Sequence, residues 1–159
     1  MTPQEIRSIA YLIHPPVLGE LTLPEALQAL VEGFGRRTGF RVQFELVGEP
    51  QVCCPAAEGA IYRVVQEALS NVRRHAKAKH ATVRLSRGTA VTHVIIADDG
   101  VGLPATIKAG VGLAGMRSRL SELGGRLSIR SQSSGTTVIA SIPAQRRFRP
   151  GADRAGTPS

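Results

Sequence analysis

The stretch from Ile61 to His75 carries polar side chains at a spacing that suits a nucleotide site. On a helix that turns about 100° per residue, Glu67, Asn71, Arg74 and His75 form one stripe along its flank. A carboxylate and an amide one turn apart offer hard oxygen ligands to Mg²⁺, and the cations one turn further on face phosphate. We therefore interpret this helix as one wall of a Mg·ATP pocket, with Glu67 and Asn71 as candidate metal ligands.

The same stretch also has an apolar face. The residues on that face are Ile61, Val64, Val65, Ala68, Leu69 and Val72. Their spacing of three and four residues is typical of a helix that packs on a hydrophobic core. The polar stripe is thus predicted to sit on a core helix, which can hold it in a fixed position.

A carboxylate at the end of a predicted strand is the next candidate. Residues 98–102 read Asp-Asp-Gly-Val-Gly, and because Asp-Gly pairs are ordinary turn residues, a plain turn remains an alternative. As a site, the Asp98 carboxylate would accept a hydrogen bond from the 6-amino group of adenine, whereas guanine has a carbonyl oxygen at that position. Gly100 and Gly102 would let the backbone approach the base without Cβ atoms in the way.

The glycine-rich segment 110–116 formally matches GxGxxG, the pattern of dinucleotide-binding loops. Its context excludes that function, because no strand directly precedes it and the position about 20 residues further on holds Arg130 instead of an acid. What remains is a glycine turn leading into a helix N-terminus, whose free N–H groups suit triphosphate oxygens. Arg117 and Arg119 are predicted in the first turns of this helix, where they oppose its dipole. We interpret them as phosphate or partner contacts, and a solvated face is equally open for Arg119.

The segment Gly135 to Thr137 begins the final predicted strand. By itself it reads as a strand-start turn, but beside the other segments it can offer a hydroxyl that completes the hydrogen bonds around adenine. The chain has no GxxxxGK[ST] pattern, which argues against a P-loop. The nucleotide hypothesis therefore requires segments far apart in sequence to converge.

Periodicity along the chain predicts the elements that must bring these segments together. Beside the central helix, the predicted helices are 3–13, 24–38 and 112–125. The predicted strands are 40–48, 79–87, 90–97, 126–132 and 135–143, and 51–59 is predicted as a connector. This order is typical of an α+β fold with helices on one face of a mixed sheet.

Composition limits the class of protein. At 159 residues and 42% hydrophobic content, the chain is long enough for one compact domain. It has neither an apolar run of membrane-spanning length nor the pattern of a signal peptide, so we expect a soluble, cytoplasmic protein. Cys53 and Cys54 are adjacent, which disfavours both a disulfide between them and a cysteine metal site.

The basic charge raises the alternative of a nucleic-acid partner. The net charge is +8 and the pI is near 10.7, and clustered Arg and Lys can neutralise phosphates. However, the chain has no Trp and an aromatic content of 4%, which argues against a stacking platform for single strands. Part of the charge lies in residues 146–159, which we predict to be a disordered basic tail. We therefore expect no direct DNA binding.

The segments described above resemble, in the same order, the four ATP-site sequence boxes shared by sensor histidine kinases, gyrase-type ATPases and their chaperone and mismatch-repair relatives. The segment QEALSNVRRHAKA, followed by GLAGMRSRLSELGG, is similar in sequence to the corresponding segments of two-component kinases that serve response regulators of the nitrate-response, LuxR-like class. This resemblance implies the GHKL, or Bergerat, ATP-binding fold. That fold is a two-layer α/β sandwich with a mixed, mostly antiparallel sheet and helices on one face.

The resemblance also implies roles for individual residues. Asn71 would ligate Mg²⁺, Asp98 would hold adenine, and Thr136 would support that contact through water. Glu67 lies where gyrase-like members have the base that activates water, so Glu67 and Asn71 are the catalytic candidates. The expected nucleotide-binding residues are Asn71, Arg74, His75, Asp98, Gly100, Val101, Gly102, Gly110, Val111, Gly112, Leu113, Met116, Arg117, Thr136 and Thr137.

The resemblance implies a phosphorylated histidine within an ELHD-like helix, and this residue is missing from the sequence. No histidine precedes His14, which lies next to two prolines and which we interpret as structural. We therefore expect the catalytic fragment of a kinase: residues 1–22 as the end of a dimerisation and phosphoacceptor helix with its linker, 23–145 as the ATP-binding domain, and then the tail. The fragment is not expected to autophosphorylate alone or to contact a membrane, although the full-length kinase could be membrane-bound.

The predicted function is binding of Mg·ATP and transfer of the γ-phosphoryl group to a histidine on a separate phosphoacceptor domain, followed by signalling to a LuxR-like response regulator. Two alternatives remain at this point. One is an anti-sigma-type serine kinase of the same fold. The other is a non-catalytic nucleotide- or nucleic-acid-binding module.

Overall fold

The computed structural model describes residues 21–48, 54–104 and 110–144. Several predicted features lie outside these residues: the helix at 3–13, His14, Cys53, residues 105–109 and the tail at 146–159. Within the described ranges, no helix is both long enough and apolar enough to cross a membrane.

The first described helix, α1 (Leu23–Thr38), begins and ends where its sequence indicates. The Thr22 hydroxyl accepts a hydrogen bond from the Glu25 N–H, and the Glu25 carboxylate accepts one from the Thr22 N–H at 2.8 Å. This reciprocal pair is a capping box that satisfies two donors at the helix start. Gly39 ends the helix in the left-handed conformation, with a φ of 69°. Its apolar face is buried, as expected for a helix on the core, and consists of Ala26, Leu27, Leu30, Val31 and Phe34.

The central helix, α2 (Pro55–Asn71), starts earlier than predicted. The connector predicted at 51–59 is wrong in its second half, because Pro55 occupies the first turn of the helix, where proline is well tolerated. Cys54 caps the helix through its Sγ, which accepts from the Ala57 N–H at 3.4 Å. The apolar face predicted for this helix is buried along its full length.

The C-terminal end of the central helix is irregular. After Asn71 the chain continues as a π-helical turn, Val72–Ala76, and Lys77 then takes a φ of 49°. Arg74 and His75 lie on this wider turn, so the α-helical stripe predicted for them ends at Asn71. Irregular turns of this kind are frequent at functional sites.

Five strands form one sheet in the order β1-β2-β3-β5-β4. Their bounds are β1 Arg41–Val47, β2 His80–Arg87, β3 Val91–Asp98, β4 Arg126–Gln132 and β5 Gly135–Pro143. β1 pairs with β2 in parallel, and the other neighbouring strands are antiparallel. The predicted bounds of β4 and β5 agree with these, and the other strand predictions differ by single residues at their ends.

The helices cover one face of the sheet. Alternate residues of β2, β3 and β5 are buried on that face and join the apolar faces of α1, α2 and α3 (Val111–Glu122) in one core. The intervening residues are exposed or partly exposed on the other face, apart from the strand ends. The predicted α+β class, with a mixed, mostly antiparallel sheet and helices on one face, is confirmed.

Candidate nucleotide site

Asp98 is the last residue of β3 and lies opposite the start of β2. Its Oδ1 accepts hydrogen bonds from the backbone N–H of Gly100 at 2.8 Å and of Thr136 at 3.4 Å. Within the described residues both bonds fall on Oδ1, which leaves Oδ2 to accept a hydrogen bond from a ligand. Burial raises the pKa of Asp98 above its ordinary value, against the opposing effect of the two backbone hydrogen bonds. The carboxylate is thus a partly desolvated acceptor held in a fixed orientation.

The loop after Asp98 packs against the end of the central helix. The Val101 N–H donates to the Ala76 carbonyl at 2.7 Å. A Cβ on Gly100 would collide with the same carbonyl. Because Ala76 is in the turn that directly follows Asn71, this contact brings the segment of Asp98 next to the segment of Asn71. The two segments on which the nucleotide hypothesis depends are therefore neighbours.

Glycines in this loop are required by close contacts within the protein itself. Gly102 has a φ of 87°, and a Cβ there would lie 2.5 Å from the Gln132 carbonyl oxygen and 2.7 Å from the Ser131 Oγ. Gly100 is restricted in the same way by Ala76. The close approach that these glycines permit is therefore an approach of protein atoms, which locks the loop between the central helix and β4.

Asn71 and Glu67 differ in their surroundings. Asn71 is only 6% exposed, and its side chain makes no hydrogen bond to any other described residue. Its amide atoms are not among the fully buried side-chain atoms that lack a partner in the described residues, so the amide can still be reached by a ligand. Glu67 is half-buried, and its carboxylate occupies the space that a Cβ on Gly112 would fill. The predicted metal residue Glu67 therefore touches the predicted glycine-rich segment.

A metal site here would have few protein ligands. The described part of the chain holds no group of three His, Cys, Asp or Glu side chains that could bind an ion. Mg²⁺ fits such a site because it keeps several waters and usually takes one or two protein oxygens beside the phosphates of its nucleotide. The pair Glu67 and Asn71 is compatible with that ligand set and with no all-protein metal cage.

The start of α3 presents both backbone and apolar surface. Gly110 is the N-cap residue and makes no side-chain cap, and Val111 is 91% exposed. A cavity of about 270 Å³ lies beside this end, between α2 and α3, and Glu67 and Gly112 are among its lining residues. The helix N-terminus thus opens towards the carboxylate of the central helix, and a cation or phosphate could approach both.

Three of the predicted nucleotide-binding side chains point elsewhere. Leu113 and Met116 are 1% and 5% exposed and belong to the core. Thr137 alternates with the buried Thr136 along β5 and pairs with Ala97, so its side chain lies on the sheet face opposite to the helices. The prediction that Leu113, Met116 and Thr137 bind the nucleotide stays a prediction.

The predicted cations are also placed differently. Arg74 is exposed and His75 is half-buried on the π-helical turn. Arg117 is exposed in the middle of α3, and Arg119 lies in its last turn. The prediction that both arginines of α3 oppose the helix dipole from its first turns is wrong for Arg119, because a cation in the last turn is favoured by that dipole. The predicted helix runs to Gly125, whereas the observed helix ends at Glu122, and this earlier end places Arg119 in the last turn.

Asp99 is a structural residue of the site that the sequence analysis did not identify. Its Oδ1 accepts from the backbone N–H of Lys79 at 2.8 Å and of His80 at 2.9 Å, and its Oδ2 lies 2.8 Å from the His80 Nδ1. The hydrogen bonds with His80, followed by the one from Lys79, lower the pKa of Asp99 to about 2. Two consecutive aspartates thus have different tasks: Asp98 faces the loop, and Asp99 ties that loop to the start of β2.

Ser131 is a second residue that the sequence analysis missed. Its Oγ accepts from the Leu103 N–H at 2.7 Å and lies 3.2 Å from the Thr136 Oγ1. A signal for this contact was present, because β4 and β5 are separated by a two-residue turn that places Ser131 directly opposite Thr136. Counting residue pairs of the β4–β5 hairpin back from that turn would have placed Ser131 opposite Thr136.

Comparison with known proteins identifies the family. Residues 56–146 match the model of the histidine kinase-, DNA gyrase B-, and HSP90-like ATPase family. Among similar curated proteins are the signal transduction histidine-protein kinase/phosphatase DegS of Brevibacillus brevis, 39% identical over 87% of this chain and 37% of that protein, and the sensor histidine kinase MctS of Rhizobium johnstonii, 34% identical over 88% of this chain and 32% of that protein. This chain therefore spans about a third of the length of these relatives.

Solved structures give the same fold. The histidine kinase domain of a blue-light activated histidine kinase from Erythrobacter litoralis superposes with a TM-score of 0.65 at 19% identity, over 89% of this chain and 78% of that domain. The resemblance to the ATP-binding domain of sensor histidine kinases that the sequence motifs indicate is confirmed by these matches. The chain belongs to the histidine kinase-, DNA gyrase B-, and HSP90-like ATPase family.

Proposed function

We propose that this chain is the ATP-binding catalytic domain of a two-component sensor histidine kinase. In this proposal it binds Mg·ATP and transfers the γ-phosphoryl group to a histidine on a separate phosphoacceptor domain. The observation that carries the proposal is the Asp98 carboxylate, held by two backbone N–H groups with Oδ2 left for a ligand, beside the segment that bears the buried Asn71. The family match and the sensor histidine kinases among the relatives support it.

The adenine end of the proposed site is formed by Asp98, Thr136 and the loop 98–104. A carboxylate accepts a hydrogen bond from the 6-amino group of adenine, whereas the carbonyl oxygen of a 6-oxopurine would place two acceptors face to face. The burial that raises the pKa of Asp98 also strengthens this discrimination, since a buried unsatisfied acceptor costs more than an exposed one.

The phosphate end is formed by the Asn71 amide, the Glu67 carboxylate and the N-terminus of α3. Mg²⁺, when bound, neutralises charge on the triphosphate and helps to align the transferred phosphoryl group. Asn71 would hold the ion with its side-chain oxygen. Glu67 would hold it directly or through water, or would act as a base. The N–H groups at the start of α3 would donate hydrogen bonds to phosphate oxygens, and Arg74 on the π-helical turn would add positive charge.

The partners follow from this function. The chain spans about a third of the length of its curated relatives, and we propose that it acts with the dimerisation and phosphoacceptor domain of a longer kinase. We also propose a response regulator as the final recipient of the phosphoryl group, of the LuxR-like class that the sequence resemblance implies. Protein positioning and charge neutralisation, rather than covalent chemistry, would be the contribution of this domain.

Nucleotide titration of the purified chain tests the first half of the proposal. We expect Mg·ATP to bind more tightly than Mg·GTP, and Asp98→Asn to weaken ATP binding. Glu45→Gln is a matched control, because it also converts a carboxylate to an amide, but on the exposed pair with Arg84 in β1 and β2. Equal affinity for ATP and GTP in the wild-type chain would contradict the adenine assignment.

Phosphoryl transfer tests the second half. The chain is incubated with radiolabelled ATP and, as acceptor, the separately purified phosphoacceptor domain of a related histidine kinase. We expect label on the acceptor that is lost in acid and stable in base, as for phosphohistidine. Label with the opposite stability, as for phosphoserine, would favour a serine kinase of the same fold and would overturn the proposed acceptor.

A further inference from the structure

Two cavities of about 270 Å³ each lie between α2 and α3, and two arginines belong to both of them. One cavity is at the phosphate end of the proposed site, beside Glu67 and Gly112. The other lies further along the same helices, towards the start of α2 and the end of α3. Arg63 of α2 and Arg119 of α3 line both cavities, so they stand on opposite walls where the cavities meet. We call the two cavities together the α2–α3 groove.

The two arginines give the centre of this groove a positive charge. Arg63 is half-buried and Arg119 is exposed, and no ion pair joins either of them to an acid in the described part of the chain. Of the acids in the groove, Glu67 lies at the phosphate end and Glu122 at the opposite end. Two cations on opposite walls repel each other, and a carboxylate placed between them would pair with both. The centre of the groove therefore favours an acidic ligand.

The position of the groove indicates which acidic ligand it would take. In the proposed function the γ-phosphoryl group lies by Glu67 and the start of α3, and the accepting nitrogen of a histidine must approach it to about 3–3.5 Å. The cavity beside Glu67 opens at that end, and Arg63 and Arg119 line it. Val111, which is 91% exposed, adds apolar surface to the same cavity. A protein segment that presents a histidine here would thus lie over the α2–α3 groove, within reach of both guanidinium groups.

We propose that Arg63 and Arg119 are specificity-determining residues for the phosphoacceptor domain, which they recognise through carboxylate groups close to its histidine. This inference rests on the proposed function and adds to it the surface and the charge by which the acceptor is selected. Arginine is enriched in protein–protein interfaces, and its planar guanidinium group can pair with a carboxylate through two hydrogen bonds. The two arginines act on the acceptor and not on the nucleotide, so the affinity for ATP does not depend on them.

The test separates binding of the acceptor from binding of ATP. Transfer of radiolabel from ATP to the separately purified phosphoacceptor domain of a related histidine kinase gives the KM for the acceptor, and calorimetry gives the Kd for Mg·ATP. Both are measured for the wild-type chain, for Arg119→Gln, for the double variant with Arg63→Gln added, and for the control Arg37→Gln. Arg37 is also an exposed arginine, but it lines a different groove, between α1 and α2.

We expect the KM for the acceptor to rise about tenfold in the double variant, which is the value of one charge-assisted hydrogen bond, while the Kd for ATP stays unchanged. Arg119→Gln alone should raise the KM by a smaller factor. The wild-type KM should also rise with salt concentration, because salt screens ion pairs, and this dependence should be weaker in the double variant. The control should match the wild type in KM, in Kd and in salt dependence.

An unchanged KM in the double variant would overturn the inference. A Kd for ATP that rises by the same factor as the KM would also overturn it, because the arginines would then bind phosphate or support the fold of the ATP site. The exposed Arg119 keeps the test decisive if the double variant does not fold, since an unchanged KM in Arg119→Gln argues equally against the groove. A wild-type chain that binds no ATP, or that transfers no label to the acceptor, would instead contradict the proposed function, and the inference with it.

Discussion

Replacing Asp98 by Asn separates nucleotide recognition from folding. The amide oxygen of Asn can still accept the hydrogen bonds from Gly100 and Thr136, which are 2.8 and 3.4 Å long in the native chain. The other terminus of the side chain changes from an acceptor to an NH₂ donor, which would face the donor NH₂ of adenine. The substitution thus preserves the local framework and reverses the group presented to the base.

The expected loss of ATP binding is that of one unsatisfied buried polar contact, about 1–3 kcal/mol, or roughly 5- to 150-fold in Kd. Stability is expected to change in the other direction. Because burial raises the pKa of Asp98 in the folded chain, the unfolded chain binds fewer protons and the ionised carboxylate destabilises the fold as the pH rises. Asn carries no charge, so the nucleotide-free variant should be at least as stable as the wild type at neutral pH, and this pH dependence should be smaller.

The assay combines calorimetric titration with ATP and GTP and urea unfolding at several pH values. The variant should bind ATP weakly, lose its preference for ATP over GTP, and unfold at the same or a higher urea concentration. Glu45→Gln should change neither nucleotide affinity nor selectivity. Unchanged ATP affinity in Asp98→Asn would refute the adenine assignment, and a large loss of stability would refute the claim that the two backbone hydrogen bonds survive.

Three further predictions concern the rest of the site. Asn71→Ala should remove most of the Mg²⁺ dependence of ATP binding, because the buried amide is the proposed ligand; titrations with and without the ion check this, and the same ratio in both proteins would contradict it. Asp99→Asn should reduce the acid sensitivity of the fold: the folded pKa of about 2 lies below the usual unfolded value, so its stabilisation is present above that value and is lost as the pH falls towards 2. Urea unfolding between about pH 4 and pH 2 measures it, and an unchanged slope would argue against the contacts of Asp99 with His80. Gly100→Ala should destabilise the chain by about 1–3 kcal/mol, because the new Cβ meets the Ala76 carbonyl, and an unchanged unfolding midpoint would show that the loop can move away.

The strands and the buried helix faces could be predicted because each depends on a local pattern. β4 and β5 alternate polar and apolar residues between clear turn residues, so their bounds follow from the sequence. The apolar faces of α1 and α2 follow from helical spacing for the same reason. The π-helical turn at Val72–Ala76 has no such pattern, since its stability depends on contacts with a loop that is distant in sequence.

The candidate site was only partly predictable for a related reason. Motif types indicated Asp98 and Asn71, because their chemistry is specific. The motifs did not indicate which of their side chains pack in the core. Helical spacing does indicate this for Leu113 and Met116, which share the buried face of α3 with Leu120. The role of Asp99 depends on Lys79 and His80, which approach it only through the pairing of β2 with β3. Contacts between strands can be predicted only when the strand register is known, and the register is known only once the fold is known.

The backbone N–H groups of Gly100, Leu103 and Thr136 all have acceptors within the protein itself. The conformational entropy of this loop is therefore already spent when the chain folds, so little of the binding free energy is consumed in ordering it. By thermodynamic linkage, a substitution that loosens the β4–β5 hairpin would weaken nucleotide affinity without altering any atom that touches the ligand, and a saturating nucleotide would restore the lost resistance to unfolding.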